Sequence, residues 1–441
     1  MPTDALIGLL GFAAMLSMVL VGVPIFVSLI SVAFVCLMVM PGGGWAFVTS
    51  TFTRAPFEFA ASFQFAVLPL FMLLGMLAGS TGVGVGAYNA IEKWTAKMPG
   101  GLMMATVGGN ALFGAVSGMS TAANMVFCKI AMPELTKHGY DKNLSMGLIT
   151  ASGALDSLIP PSMPIIIFCV LVQTQQVNIG RALLGGIGPA IVLAFLYCVV
   201  IYGIHRLRPD KVPGAATITV TWRDRAGSLK LMIPIIVFFA LIIGGTYWGW
   251  FSATVGGAIG SFILLIYGVV RGVGLKSMIK SAWEACVMNA GFFPIIIAGQ
   301  IFGRMVALSR LPDYLAEWIT QMQVPHYAIF LIVVVFYIFC GMIMDIASIL
   351  IITIPIVVPL LTQGAGYDIY VVVIFLVMVG EMAGLTPPIG MNVFAVANAL
   401  RVDPGLIFKG MAPFFLAEVV LVLMMPVIPA ITTAIPNLLN F

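Results

Sequence analysis

Charge is what this sequence has least of. Only 8% of its 441 residues are Asp, Glu, Lys or Arg, whereas 61% are hydrophobic, and the mean hydropathy is +1.13. Soluble globular chains carry roughly 25% charged residues, so this composition predicts an all-α polytopic membrane protein. The formal net charge of +4 gives no reason to expect nucleic acid as a partner, because the basic residues lie in the connections between apolar runs.

The residue patterns of common catalytic and metal sites are also missing. The three histidines are isolated, and the six cysteines lie within or beside apolar runs without metal-like spacing. The sequence contains no nucleophile elbow, no Walker loop and no HExxH motif. We therefore predict that the chain is not an enzyme and holds no cofactor. Without a Walker loop, ATP is excluded as an energy source within this chain.

What the sequence does have is a pair of related stretches at one spacing. A double proline lies deep inside an apolar segment in each half of the chain, and 387 − 160 = 227. The same offset of 227 relates Gly139-Tyr140-Asp141 to Gly366-Tyr367-Asp368, Pro160-Pro161 to Pro387-Pro388, and Gly114 to Gly341. Paired interruptions of apolar segments in two halves are the sequence mark of an inverted-repeat transporter.

Each half is predicted to contain a re-entrant hairpin and a broken helix. A small-residue patch, residues 114–121, interrupts the apolar run 102–130, and residues 341–345 interrupt the run 328–361. Free backbone groups at membrane depth are tolerated only when they are buried in protein or line a wet cavity. A straight span whose small residues serve helix packing is the alternative. The broken helices are predicted over 144–172 and 369–399, because each double proline stops the helix.

The predicted domains follow from the order of the hairpins and broken helices along the chain. Residues 1–204 form the first repeat, residues 205–230 form a polar cytoplasmic linker, and residues 231–441 form the second repeat. With the linker inside, 16 of the 20 Lys and Arg fall on the cytoplasmic side, since only Arg54, Arg181, Arg304 and Arg310 fall outside (20 − 4 = 16), in agreement with the positive-inside rule. Five crossings per half invert the second half relative to the first.

Broken helices supply two kinds of ligand. Unpaired N–H groups at helix starts suit an anion such as a carboxylate, and unpaired carbonyls with Ser or Thr hydroxyls suit a hard cation such as Na⁺. Three acids, Asp156, Asp345 and Glu381, lie near the breaks, where buried charge is costly and usually functional. A buried acid with a purely structural role is the alternative. Glu284 and Glu418 lie near span ends and are predicted to be interfacial.

The motifs FGAVSGMSTAAN, AMPEL, GYD, LIPPS, GMIMDIASILIITIPIVVPLL and LTPPIGMNVF resemble the large membrane subunit of TRAP transporters, the DctM-like family. This resemblance covers essentially the whole chain. It implies an elevator-type carrier in the inner membrane of bacteria and sodium-driven uptake of organic acids such as C4-dicarboxylates or sialic acid. It also implies two partners: a small membrane subunit of about four helices and a periplasmic substrate-binding protein.

The resemblance also implies site residues. A first sodium site would use Ser117, Met119, Asp156, Ile159 and Pro161, and a second would use Gly341, Ala383, Thr386 and Ile389. Gly118, Ser120, Thr121, Asp345 and Asn392 complete the predicted substrate- and ion-binding set.

The sequence departs from the family pattern at three positions. The first hairpin tip has Met119 where the family usually has a serine, Asp156 replaces a usual glycine, and Val255 replaces a common glutamate. These changes bear on the coupling ion, because Asp156 can add a ligand to the sodium site or can take up a proton instead. A proton-coupled variant using Asp156 and a stand-alone ion-coupled carboxylate carrier are therefore the alternatives within transport. A non-transporting membrane scaffold or receptor is the alternative outside it.

Overall fold

A computed structural model describes residues 2–172, 177–214, 220–322, 324–388 and 390–439. These residues form helices and no strand. The α-helices are α1 (Thr3–Leu20), α2 (Ile25–Val39), α3 (Trp45–Ala61), α4 (Val67–Thr81), α5 (Val83–Thr95), α6 (Gly101–Ser117), α7 (Ser120–Lys137), α8 (Lys142–Leu158), α9 (Met163–Leu171), α10 (Ile179–Gly185), α11 (Ile187–Leu207), α12 (Trp222–Tyr247), α13 (Ala253–Val270), α14 (Leu275–Leu308), α15 (Leu311–Gln321), α16 (His326–Gly341), α17 (Ile346–Pro359), α18 (Ile369–Ala383), α19 (Met391–Leu400), α20 (Pro404–Met424) and α21 (Ala430–Leu438).

The predicted all-α membrane architecture is confirmed. Within the described ranges, six helical segments are long and apolar enough to cross a membrane, and the number rises to nine if each bent helix pair counts as one span. Large apolar side chains point outward along the peripheral helices, for example Phe262 and Val270 on α13 and Trp283 on α14. Such a surface is what a lipid environment requires and what water disfavours.

The centre of the molecule consists of α8 and α18, the two helices that precede the double prolines. Every residue of α8 from Leu144 to Leu158 is buried, as is every residue of α18 from Val371 to Ala383. A helix that is apolar or small on all sides must be enclosed by other helices. Accordingly α8 contacts α6, α7, α18 and α20, while α18 also contacts α16 and α17.

Both central helices end where proline forbids their continuation. Helix α8 stops at Leu158 and α9 restarts at Met163 with a bend of 44°. Helix α18 stops at Ala383 and α19 begins at Met391. Both Pro-Pro bonds, Pro160-Pro161 and Pro387-Pro388, are cis.

The two predicted hairpin tips also coincide with helix ends. Helix α6 ends at Ser117 and is followed by Gly118, whose φ of +64° lies in the left-handed region that glycine tolerates best. Helices α16 and α17 are separated by residues 342–345. The inverted relation of the halves, their boundaries and the elevator motion stay predictions.

The predicted linker 205–230 includes helix at both of its ends, because α11 continues to Leu207 and α12 begins at Trp222. Thr221 and Asp224 form a capping box at the start of α12, a signal that could have been read in the sequence.

The prediction that Glu418 is interfacial was wrong. Its side chain is fully buried on α20, and its Oε1 lies 2.6 Å from the Tyr197 hydroxyl on α11. Glu284, by contrast, is partly exposed and lies 3.7 Å from Lys280 Nζ one helical turn earlier. Position along an apolar run therefore did not distinguish a buried acid from a surface acid, because the partner that encloses Glu418 comes from a distant part of the chain.

Candidate functional site

A cavity of about 340 Å³ lies between the two halves of the chain. The first residues of four helices line it, and these are Ser120 and Thr121 of α7, Met163 and Pro164 of α9, Ile346 and Ala347 of α17, and Met391 and Asn392 of α19. Helix N-termini carry unpaired N–H groups and partial positive charge. These helix starts favour negative charge without a basic side chain, since no Lys, Arg or His lines the cavity among the described residues, whereas the acids Asp345 and Glu381 do line it.

The four helix starts differ in how their N–H groups are used. Ser162 Oγ accepts a hydrogen bond from Ile165 N at the start of α9. Asp345 accepts from the backbone N–H of Ala347 and Ser348 at the start of α17. Helices α7 and α19 have no side-chain cap, and they contact each other. At the start of α19 the backbone N–H of Asn392 donates to Gly384 O at 3.3 Å, so the remaining N–H groups of these two helix starts are the ones left for an anion.

Glu381, near the end of α18, joins these elements. Its Oε1 accepts hydrogen bonds from Ser157 Oγ at 2.5 Å and from Ser120 Oγ at 3.2 Å. Its Oε2 accepts from Asn392 Nδ2 at 3.2 Å. The donors come from α8, α7 and α19, so one carboxylate connects the first hairpin tip, the first helix break and the start of α19.

Most of the predicted ligands of the first sodium site lie outside the cavity lining, although Met119 is part of it. Met163 N donates to Gly118 O at 3.1 Å, and Pro161 O packs against the face of Gly118 where a side chain would be. Ser117 Oγ and both carboxyl oxygens of Asp156 are buried without a hydrogen-bond partner among the described residues. Buried oxygens without donors are costly, so this group of atoms fits a cation.

The predicted ligands of the second sodium site also cluster, but they include fewer oxygens that lack a hydrogen-bond partner. Gly341, the last residue of α16, packs directly against Ala383. Thr386 Oγ1 donates to Met382 O at 3.0 Å, and Thr386 N donates to Ala383 O at 3.0 Å. Thr386 Oγ1 and the Ala383 carbonyl oxygen each keep a lone pair for a cation. Ile389 lies outside the described residues.

The predicted set thus separates into two groups. Gly118, Met119, Ser120, Thr121, Asp345 and Asn392 line the cavity. Ser117, Asp156, Ile159, Pro161, Gly341, Ala383 and Thr386 lie outside its lining. A second cavity of about 260 Å³, lined among others by Arg304 and Asp313, contains none of the predicted site residues.

Comparison with known proteins agrees with this architecture. The family model of the DctM component of tripartite ATP-independent periplasmic transporters matches residues 12–431. The chain belongs to the DctM family. The predicted family membership is therefore confirmed.

Relatives of this chain are named after different transported compounds. The chain is 25% identical over 388 residues to the C4-dicarboxylate TRAP transporter large permease protein DctM of Pseudomonas aeruginosa, covering 87% of this chain and 88% of the relative. It is 26% identical over 432 residues to the ectoine TRAP transporter large permease protein TeaC of Halomonas elongata, covering 97% and 98%. It is 24% identical over 381 residues to the sialic acid TRAP transporter permease protein SiaT of Haemophilus influenzae, covering 86% and 60%.

The fold is shared with a solved transporter. The YdaH transporter of Alcanivorax borkumensis superimposes with a TM-score of 0.62 at 14% identity, over 96% of this chain and 97% of that one. At this identity the likeness concerns the fold alone.

Two residues of this DctM site were missing from the predicted set. Glu381 was identified as an intramembrane acid but was not assigned to the site, and Ser157 was not considered. Both line the cavity. Ser157 is adjacent to Asp156 and three residues before the double proline, so its proximity to the break was available as a signal. Its hydrogen-bond partner Glu381 lies 224 residues away in the chain, and no local signal in the sequence pointed to it.

Proposed function

We propose that this DctM chain is the permease through which a TRAP transporter takes up a small organic anion, a carboxylate, together with sodium. The proposal includes a small membrane subunit of about four helices, a periplasmic binding protein that delivers the substrate, and a location in the bacterial inner membrane. The observation that carries it is the pair of uncapped helix starts, α7 and α19, which face one cavity lined by both halves.

The carboxylate would bind at these two helix starts. Backbone N–H groups near Ser120 and Met391 donate to its oxygens, and the helix dipoles favour its charge. Apolar side chains, among them Met72, Met288 and Phe292, enclose the remainder of the substrate. Ligand sites of this kind are mainly apolar, with a few polar groups that fix orientation.

Sodium would bind on either side of this cavity. Ser117, Met119, Asp156, Ile159 and Pro161 provide oxygen ligands for one ion, and Gly341, Ala383, Thr386 and Ile389 for the other. Each set comes from a hairpin tip and the helix break beside it. Substrate and ions would then move together with the hairpins against the outer helices, which is the elevator motion.

The test is the melting temperature of the purified chain in detergent, titrated with NaCl or KCl at two pH values. A ligand that binds only the folded state stabilises it by roughly 2.7 kcal/mol at about one hundred times its Kd. We expect sodium to raise the melting temperature and potassium to have no such effect. Equal responses to the two salts would contradict sodium coupling.

Proton coupling through Asp156 is the second candidate, and the unpartnered burial of this carboxyl favours it. In that case the melting temperature would change with pH and would be indifferent to sodium. An Asp156→Asn variant would then lose the pH response.

A further inference from the structure

The hydrogen-bond partners of Glu381 suit an ionised side chain. Three side chains that can donate, Ser120, Ser157 and Asn392, point at its two oxygens. A carboxylate accepts only, with about four lone-pair positions. Because all three partners can donate to Glu381, the site can hold a negative charge on a side chain that is only 2% exposed.

The surroundings of Glu381 do not neutralise that charge. Asp345 lines the same cavity, and Asp156 directly precedes Ser157, which is hydrogen-bonded to Glu381. Asp345 is compensated by the start of α17. No basic side chain lines the cavity among the described residues, so the described charges around Glu381 are all acidic.

An anion that approaches α7 and α19 therefore meets two opposing effects. The uncapped helix starts attract it, while Glu381, which is bonded to a residue of each of these starts, repels it. Like charges in a poorly solvated site repel more strongly than they do in water. A cation close to Glu381 removes the repulsion and leaves the attraction.

We infer that Glu381 is a positioning residue that makes anion binding depend on sodium. It holds Ser120 and Asn392 at the two helix starts, and its charge favours a cation and disfavours an anion that arrives alone. The inference rests on the proposed sodium coupling and adds the residue that enforces it. Glu381 is suited to act on both predicted ion sites, because Ser157, which bonds to it, follows Asp156, and Ala383 is two residues away in its own helix.

The test uses the purified full chain and sodium alone as the probe. The midpoint of sodium-dependent stabilisation is measured from melting temperatures for the wild type and for Glu381→Gln, which keeps the size of the side chain and removes its charge. We expect the midpoint to rise roughly tenfold, which corresponds to about 1.4 kcal/mol.

Two matched variants separate charge from structure. Glu418→Gln removes another fully buried carboxyl that does not line the cavity, and we expect its sodium midpoint to stay at the wild-type value even if the protein melts earlier. Glu381→Asp keeps the charge and should remain within about twofold of the wild type.

The inference is overturned if Glu381→Gln binds sodium as the wild type does, or if Glu418→Gln raises the midpoint equally. Should Glu381→Gln give no folded protein, Glu381→Asp decides, because a tenfold rise of the midpoint in that variant would show that geometry alone matters. A wild type that does not respond to sodium would instead remove the proposed coupling, and this inference with it.

Discussion

Each half of the molecule contains one close contact between a glycine and a central helix, here called a joint. The two joints differ in charge. In the first half Gly114 of α6 packs against Asp156 of α8, and in the second half Gly341 of α16 packs against Ala383 of α18. Both contacts are related by the offset of 227 found in the motifs, since 341 − 114 = 227 and 383 − 156 = 227. The same backbone contact thus holds a carboxyl group in one half and a methyl group in the other.

The acid of the second half is displaced by two residues. Glu381 lies where the first half has Ala154 (381 − 154 = 227), and three donors satisfy it. Asp156 has no hydrogen-bond partner among the described residues. Two halves with the same packing therefore differ in how their acids are held: Glu381 has three hydrogen-bond partners, and Asp156 has none among the described residues.

The strongest test of this difference is to place an acid in the second joint. Ala383→Asp would bury a carboxyl against Gly341 with no donor prepared for it. An uncompensated buried charge costs about 3–5 kcal/mol, so we expect a large fall in melting temperature. Ala383→Asn, of similar volume and neutral, is the control and should be less harmful. If the Ala383→Asp protein melted near the wild type, the two joints would be electrostatically equivalent.

A smaller fall in melting temperature is expected when a methyl group is added to the glycine of each joint. A Cβ at position 114 would lie 2.7 Å from Asp156 Cα, and one at position 341 would lie 2.9 Å from the Ala383 carbonyl carbon and closer still to its Cβ. Gly114→Ala and Gly341→Ala should each destabilise the protein by about 1–3 kcal/mol, as measured by melting temperature.

Rescue should distinguish these two variants. Ala383→Gly removes the nearest atom and should restore part of the melting temperature of Gly341→Ala. Asp156→Gly should restore less to Gly114→Ala, because the backbone Cα remains in contact. Equal rescue at both joints would contradict the packing described here.

The smallest effect is expected when the first joint is made like the second. Asp156→Ala removes a buried carboxyl that lacks a hydrogen-bond partner among the described residues, so in potassium salts we expect stabilisation of about 1 kcal/mol. In sodium salts the gain should shrink or reverse if Asp156 is a ligand. Melting curves in the two salts measure this, and a loss of stability in potassium would show that the carboxyl has a structural partner.

Much of this arrangement was available from the sequence. Proline chemistry located the two helix breaks, and the small residues around Gly118 located the first hairpin tip, because both depend on local backbone restrictions. The site residues near these breaks, by contrast, are implied by the resemblance to the DctM family and not by backbone restrictions.

Contacts between distant parts of the chain could not be predicted from the sequence. The hydrogen bonds of Glu381 to Ser120 and Ser157, and the burial of Glu418 by Tyr197, depend on how separate helices pack. A local pattern likewise does not reveal that a helix with charged residues, such as α3 with Arg54 and Glu58, packs beside apolar helices.

Methionine is prominent in the wall of the central cavity, where Met72, Met119, Met163, Met288 and Met391 take part. Thioether side chains are unbranched and adapt to partners of different shape, while the groups proposed to hold the anion belong to the main chain. A replacement of side chains would therefore leave the anion-holding groups in place. We expect such a permease to acquire a new cargo over evolutionary time with few substitutions of its own, so that diversification falls mainly on the proteins that supply it.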